Sequence, residues 1–327
     1  MTTTRRDLLI GFALAPAFAG LPRAALAAYP ERPIHLIVPF APGGNADVVG
    51  RVVAEQISKA VGQPVVVDNR GGAGGSIGAE QVARATPDGY TLLVGSNGPL
   101  TVNPFVQARL GYDPLKDFAP IALTSYVPHA IVVNPGVPAK TIAELIALSK
   151  TQAVNIATSG IGSATHMTLE RFKAATGATL THVPYKSGGQ LLPDLLSGAV
   201  QAAMTEFSIA LPLHKSGKVR IIAVAAARRQ TLAPEVPTFM ESGVKDFTAA
   251  SFIGIVAPAH TPSDVIAQLQ KAIAQGLTHG PAPEKLRAMG SEIATPEEMT
   301  PEGFAKFIRA DYERMRAAAR LAGIVPK

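Results

Sequence analysis

Four short segments of this 327-residue chain combine glycine with hydroxyl or amide side chains, a composition suited to cradling an oxyanion. They are Phe40-Ala41-Pro42-Gly43-Gly44-Asn45-Ala46-Asp47, Ser96-Asn97-Gly98, Thr158-Ser159-Gly160-Ile161-Gly162-Ser163 and Tyr185-Lys186-Ser187-Gly188-Gly189. Glycine lets backbone N–H groups approach a ligand, and a helix that starts at such a loop adds free donors and partial positive charge. A small carboxylate is the ligand this chemistry suits. Gly43, Gly44, Ser96, Asn97, Thr158 and Ser159 are the candidate donors. Asp47 reads first as a helix N-cap and second as a holder of ligand or water; Ser163 is either a cap or a ligand. Lys186, the only cation in the four segments, either pairs with a carboxylate or is one more exposed lysine. Phe40 and Tyr185 either wall the pocket or finish their strands as core. His166 either hydrogen-bonds ligand or is structural, and His182, inside a strand, reads as structural.

Other chemistries fail on spacing. Ala157 and Val94 stand two positions before Ser159 and Ser96, so neither serine sits in the G-x-S-x-G elbow of a hydrolase. The rival reading of an exported hydrolase rests on a triad of Ser159, His166 and Asp47, and it predicts turnover. Gly71-Gly72-Ala73-Gly74-Gly75-Ser76-Ile77-Gly78 follows a strand and opens a helix, but lacks the third glycine of a dinucleotide loop and the Lys-Ser/Thr of a P-loop. It reads as a close-packed turn. No H-E-x-x-H, cysteine pair or carboxylate cluster suggests a metal, and no cofactor is expected.

The elements that must present these loops alternate short β-rich runs with amphipathic helices, the pattern of an α/β fold with mainly parallel sheets flanked by helices. Ile34–Phe40, Pro64–Asp68 and Tyr90–Gly95 read as strands, with a helix from Asp47 to about Val61 that buries Val49, Val52, Val53, Ile57 and Ala60 and stops at Gly62. A second set runs from Ile131 through a Thr141–Lys150 helix, a Val154–Thr158 strand, a helix from Ser163 to about Thr176, strands at Thr179–Tyr185, Val200–Met204 and Val219–Ala225, and a short Gly189–Leu196 helix disturbed by Pro193. Leu232–Gly243 reads as a surface loop with a short helix. Thr-Pro pairs at Thr261, Thr295 and Thr300 announce C-terminal helices, and Phe304, Phe307, Ile308, Tyr312, Met315 and Ala319 mark one buried face. Crossovers near Tyr126 and Ser251 divide the mature chain into a first lobe, 28–126 plus 251–327, and an inserted second lobe, 127–250. Two adjacent crossovers make a hinge.

The N-terminus carries an address. Thr4-Arg5-Arg6-Asp7-Leu8-Leu9, an apolar run to Ala19 and Ala25-Leu26-Ala27 form a twin-Arg signal peptide, 1–27, with cleavage after Ala27 and release to the periplasm. Pro16 and the shortness of the run argue against a membrane anchor. The chain has no cysteine, which excludes lipidation at the cleavage site and disulfides. The formal charge is +6; without residues 1–27 it is +4, from 27 basic against 23 acidic residues, scattered without the basic block that tracks nucleic acid. A monomer free of the membrane is expected.

Tyr29-Pro30-Glu31-Arg32-Pro33-Ile34, Val38-Pro39-Phe40-Ala41-Pro42-Gly43-Gly44 with Asp47, Gly62-Gln63-Pro64-Val65-Val66-Val67, Pro87-Asp88-Gly89-Tyr90, Tyr112-Asp113-Pro114, His182-Val183-Pro184-Tyr185-Lys186, Val236-Pro237-Thr238 and Ala257-Pro258 occur in one order along the mature chain. In this the chain resembles the tripartite tricarboxylate transporter substrate-binding proteins, the Bug family. The resemblance implies a type II periplasmic binding protein fold without enzymatic activity. It implies a ligand that is a di- or tricarboxylate, an acidic amino acid or an aromatic acid, held by backbone groups and waters at Gly43, Gly44 and Asp47. It further implies selection of the rest of the ligand by Thr158–Ser163 and Tyr185–Ser187, and a partner that is a two-subunit membrane permease or a sensor. The chain departs from the family in lacking tryptophan around Ser251–Gly254, and in Ser187 where glycine is usual.

Overall fold

The computed structural model describes residues 29–321 and 323–326; the expected signal peptide and cleavage site lie outside them. Ile34–Val38 (β1) ends two residues before the expected Phe40, and Asn45–Val61 (α1) follows with Gly44 as its N-cap and Gly62 as its left-handed C-cap. Ala60, expected on the buried stripe, is exposed near the helix end. Val65–Asn69 (β2), Ser76–Ala83 (α2), Thr91–Ser96 (β3) and Asn103–Val106 (α3) complete the first run. Then comes Phe118–Val133 (β4), a single strand of 16 residues. The sequence places a crossover at Val127-Pro128, and there the strand passes from one sheet to the other, with Pro128 opposite Ala250. Pro120 sits at a register shift, between Pro120 and Ala122, which frees its ladder position.

The next run is Ile142–Thr151 (α4), Val154–Thr158 (β5), Ala164–Thr176 (α5), Leu180–Pro184 (β6), Leu192–Ser197 (α6), Ala202–Glu206 (β7), Phe207–Lys215 (α7) and Arg220–Val224 (β8). Pro193 sits in the first turn of α6 and starts it rather than disturbing it. Helix α7 is absent from the sequence reading, where Pro212 hid it. Leu232–Gly243 is not a surface loop throughout: Phe239 is wholly buried between Phe172 and Phe247. Ala250–Pro258 (β9), Ser263–Thr278 (α8), Pro281–Ala288 (α9), Glu292–Ile293 (β10) and Pro301–Leu321 (α10) close the chain. Thr295 and Glu298 form the expected capping box, but on a turn and not on a helix.

Two sheets share β4. In the first, β2, β1 and β3 run parallel, followed by β9 and β4 antiparallel, with β10 on the edge of β4. In the second, β6, β5 and β7 run parallel and the C-terminal half of β4 joins β7 antiparallel, with β8 on its other side. Each sheet has its own apolar core, one built on Ile34, Leu36, Leu92, Ile255 and Phe304, the other on Ile131, Ile156, Phe172 and Met204. The strands that pass between the sheets pair side by side at Tyr126–Phe252, Val127–Ser251 and Pro128–Ala250. The C-terminal ends of the parallel strands in both sheets face one cleft, so the loops leading into α1, α5 and α6 meet there.

Candidate functional site

The two lobes touch across the cleft. A Cβ on Gly189 would lie 2.7 Å from the Gly43 carbonyl oxygen, and one on Gly74 would lie 2.6 Å from the Ile161 carbonyl oxygen. Between these contacts is a narrow cavity. Two helix N-termini open on it: Gly44, Asn45 and Ala46 at the start of α1, and Ser163 and Ala164 at the start of α5. Ser163 caps α5 by accepting from the His166 backbone N–H at 3.1 Å, so its hydroxyl is a cap that also borders the cavity. No lysine or arginine is among the described residues that line it.

Three side chains in this wall are at most 7% exposed and carry a polar atom with no partner: Nδ2 of Asn45, Oγ of Ser96 and Oγ of Ser159. A buried donor without a partner costs roughly 1–3 kcal/mol, and a polar molecule in this cavity would complete all three hydrogen bonds. Asn97 borders the same space, but both its polar atoms are in use: Nδ2 donates to Asp311 Oδ2 at 3.3 Å and Oδ1 accepts from the Phe252 N–H at 3.0 Å. Phe40 walls the cavity, as do Ser187, Gly188, Glu206, Ser251 and Ile253. Ser187 and Gly188 lie in a segment marked by the sequence. Glu206 and Ser251 do not; the one available signal was a lone acid between the apolar ends of β7 and α7.

The other candidates lie elsewhere. Gly43 donates its N–H to Asp47 Oδ2 at 3.0 Å and faces the partner lobe. Asp47 is not the N-cap but the third residue of α1, and its carboxylate is fully engaged behind the loop, accepting from Gly43, from Asn69 Nδ2 at 3.0 Å and from Arg51 at 2.9 Å. Burial pushes its pKa up, but the Arg51, Gly43 and Asn69 donors outweigh burial and hold it below the usual carboxylate range. A depressed folded-state pKa stabilises the fold above the unfolded value, and that contribution is lost as pH falls through the folded value. Replacing Asp47 with Ala is therefore expected to cost about 1–2 kcal/mol at pH 7 and progressively less toward pH 3. Urea melts at the two pH values check this, and an equal loss at both would refute it.

Thr158 Oγ1 is 2.7 Å from His182 Nε2, and His182 stacks on His166 with ring centroids 4.4 Å apart. Burial pushes the pKa of His166 down and that of His182 down to about 4, so neither ring supplies a cation at neutral pH. His166 Nδ1 accepts from the Gly162 N–H at 3.3 Å, and Ser159 Oγ has no partner. With Asp47 held on α1, the hydrolase triad is not assembled. Tyr185 and Lys186 line a neighbouring cavity with Phe40, Ser159 and the Gly72–Gly75 turn, and the Tyr185 hydroxyl donates to Asp194 Oδ2 at 2.5 Å. The glycine turn thus docks on the second lobe through Gly74.

Residues 49–323 match the family described as the tripartite tricarboxylate transporter family receptor, TctC. The chain belongs to that family. It is 36% identical to Protein BugT of Bordetella pertussis over 99% of each chain. A solved R. palustris protein with adipate is 33% identical, with a TM-score of 0.88 over 91% of this chain and 100% of that one. MatC from Rhodopseudomonas palustris with bound malate is 31% identical, with a TM-score of 0.86 over 89% and 100%. This TctC-family receptor has the mixed α/β periplasmic binding protein fold, and it is a periplasmic solute binder and not an enzyme. Among the described residues, no helix is long and apolar enough to cross a membrane.

Proposed function

We propose that this receptor captures a short organic acid by closing residues 127–250 over residues 28–126 plus 251–327, with β4 and β9 as the hinge, and delivers it to the membrane subunits of a tripartite tricarboxylate-type transporter. The observation that carries this reading is the meeting of two helix N-termini, one from each lobe, with three unpartnered buried polar side chains around one cavity. Helix dipoles and oriented amides hold an anion without a cation, and the enclosed site strengthens each such bond. Two relatives were solved with short dicarboxylic acids, malate and adipate. Donors from the second lobe, Ser159 and the start of α5, give the ligand its preference for the closed state. A signalling partner in place of the permease would read the same closed form.

Thermal-shift screening of the mature protein against di- and tricarboxylates, acidic amino acids and aromatic acids is expected to give saturable stabilisation by at least one acid, without its consumption. Silence across the whole panel would sink the reading. For the acid found, Ser96→Ala and Ser159→Ala are each expected to weaken binding by about 1.5–3 kcal/mol, the range for hydrogen bonds to a charged group. Calorimetric titration that finds both variants unchanged would move the ligand out of this cavity.

A further inference from the structure

The cavity assigned to an anion has a carboxyl group in its own wall. Glu206, at the end of β7 and the start of α7, is 8% exposed. Ser251 Oγ of β9 lies 3.1 Å from its Oε1, and Thr205 Oγ1 lies 3.3 Å from its Oε2. His129 stands opposite it in register on β4, and Gly188 packs against Oε2. No lysine, arginine or second carboxylate acts on Glu206; the nearby Arg171 of α5 acts on His129 instead. Burial raises the pKa of Glu206 above the usual carboxylate range.

The hydrogen bonds around Glu206 form a chain whose protons can be counted. Thr168 Oγ1 donates to the Ala164 carbonyl at 3.0 Å, so its contact with His129 Nδ1 at 2.7 Å takes its proton from the ring. With Nδ1 protonated and the ring neutral, His129 Nε2 is an acceptor, and the atom 2.8 Å from it is Ser251 Oγ. A serine hydroxyl has one proton. Once it is given to Nε2, the contact between Ser251 Oγ and Glu206 Oε1 must take its proton from Glu206. Moving that proton to His129 would create a charged pair with both members buried, and burial drives the His129 pKa down to about 3. Ionising Glu206 would instead require the whole chain to reverse and Thr168 to leave Ala164.

We propose that Glu206 is a carboxylic acid, not a carboxylate, when the closed cleft holds an anion, and that capture of the anion depends on this proton. The proposal rests on the carboxylate-capture reading above and deepens it. The proton comes from solvent, stays on Oε1 and is donated to Ser251 Oγ; no bond of the ligand changes. A neutral Glu206 spares the ligand a like charge inside the same small cavity, where repulsion is weakly screened. Affinity is then constant below the pKa of Glu206 and falls about tenfold per pH unit above it.

The test is calorimetric titration with malate, adipate and any acid found in the screen, from pH 6 to pH 9, in two buffers of different ionisation heat. Wild-type affinity is expected to fall on the alkaline side with proton uptake on binding. Glu206→Gln, whose amide can donate to Ser251 Oγ without carrying charge, is expected to bind at least as tightly and without that fall. Loss of binding in E206Q at every pH, with the fold intact, would overturn the proposal, because it would mean that an ionised acceptor is needed for a ligand hydroxyl or ammonium. Infrared difference spectra of wild type against E206Q at pH 7 are expected to carry the carbonyl stretch of a protonated carboxyl. If no acid binds, the capture reading fails on its own, and absence of that band still refutes the proton.

Discussion

Replacing Gly189 with Ala is expected to weaken ligand capture fivefold to about 150-fold while leaving the melting temperature of the ligand-free protein within about 2 °C of wild type. The reason is local and one-sided. An added Cβ would stand 2.7 Å from the Gly43 carbonyl oxygen and 2.8 Å from its carbon, and both are backbone atoms of the opposite lobe that no rotamer change can move. Gly189 is not among the glycines with positive φ, so alanine fits its conformation. Under the proposed hinge closure, the strain of roughly 1–3 kcal/mol falls on the closed state alone. Titration calorimetry and thermal melts decide the matter together. Wild-type affinity would show that the lobes do not need this contact, and a melting temperature lowered as much as binding would show that the effect is on the fold.

Phe304→Ala is expected to be the most damaging single truncation in the first lobe, costing about 3–5 kcal/mol and lowering the melting temperature by roughly 10 °C. The ring of Phe304 is completely buried and packs against Phe252 at 6.1 Å between centroids. It also occupies the space left by Gly254, where a Cβ would come within 2.3 Å of the ring. Helix α10 is pinned to β9 by this contact, and α10 in turn carries Asp311, which receives hydrogen bonds from Thr101 and from Asn97 at the cleft. A urea melt measures the loss. A midpoint within 1 kcal/mol of wild type would mean that the surroundings collapse into the vacated space.

The loops were legible in the sequence because their chemistry is local. Ser163 and Thr141 accept from the backbone N–H three residues on, as a short hydroxyl before an amphipathic run should. Phe304, Ile308, Met315 and Ala319 lie on the buried face that their spacing marks, and Asp311 shares it, a position that no periodicity distinguishes from an exposed acid. What escaped was decided by distant partners. Asp47 has the right residue type for a ligand holder, yet Asn69 and Arg51 claim its oxygens. Glu206 and Ser251 are 45 positions apart and meet only because β7 and β9 both flank β4. The part of β4 before Ile131 escaped because Val127-Pro128 reads as a crossover, and only pairing with β9, bulges included, keeps the strand in one piece.

The course of the chain through the first sheet has a consequence for the order in which the protein assembles. Strand β9 lies between β3 and β4, so two interior ladders of that sheet wait for residues near the end of synthesis. The parallel strands β5, β6 and β7 come from one continuous stretch with short crossovers and can pair while β3 still has an open edge. Contacts that span more than a hundred positions, such as Thr124 with Ile253, close slowly because the intervening loop must be ordered first. Until the last third of the chain arrives, the edges of β3 and β4 that pair with β9 stay open to other chains.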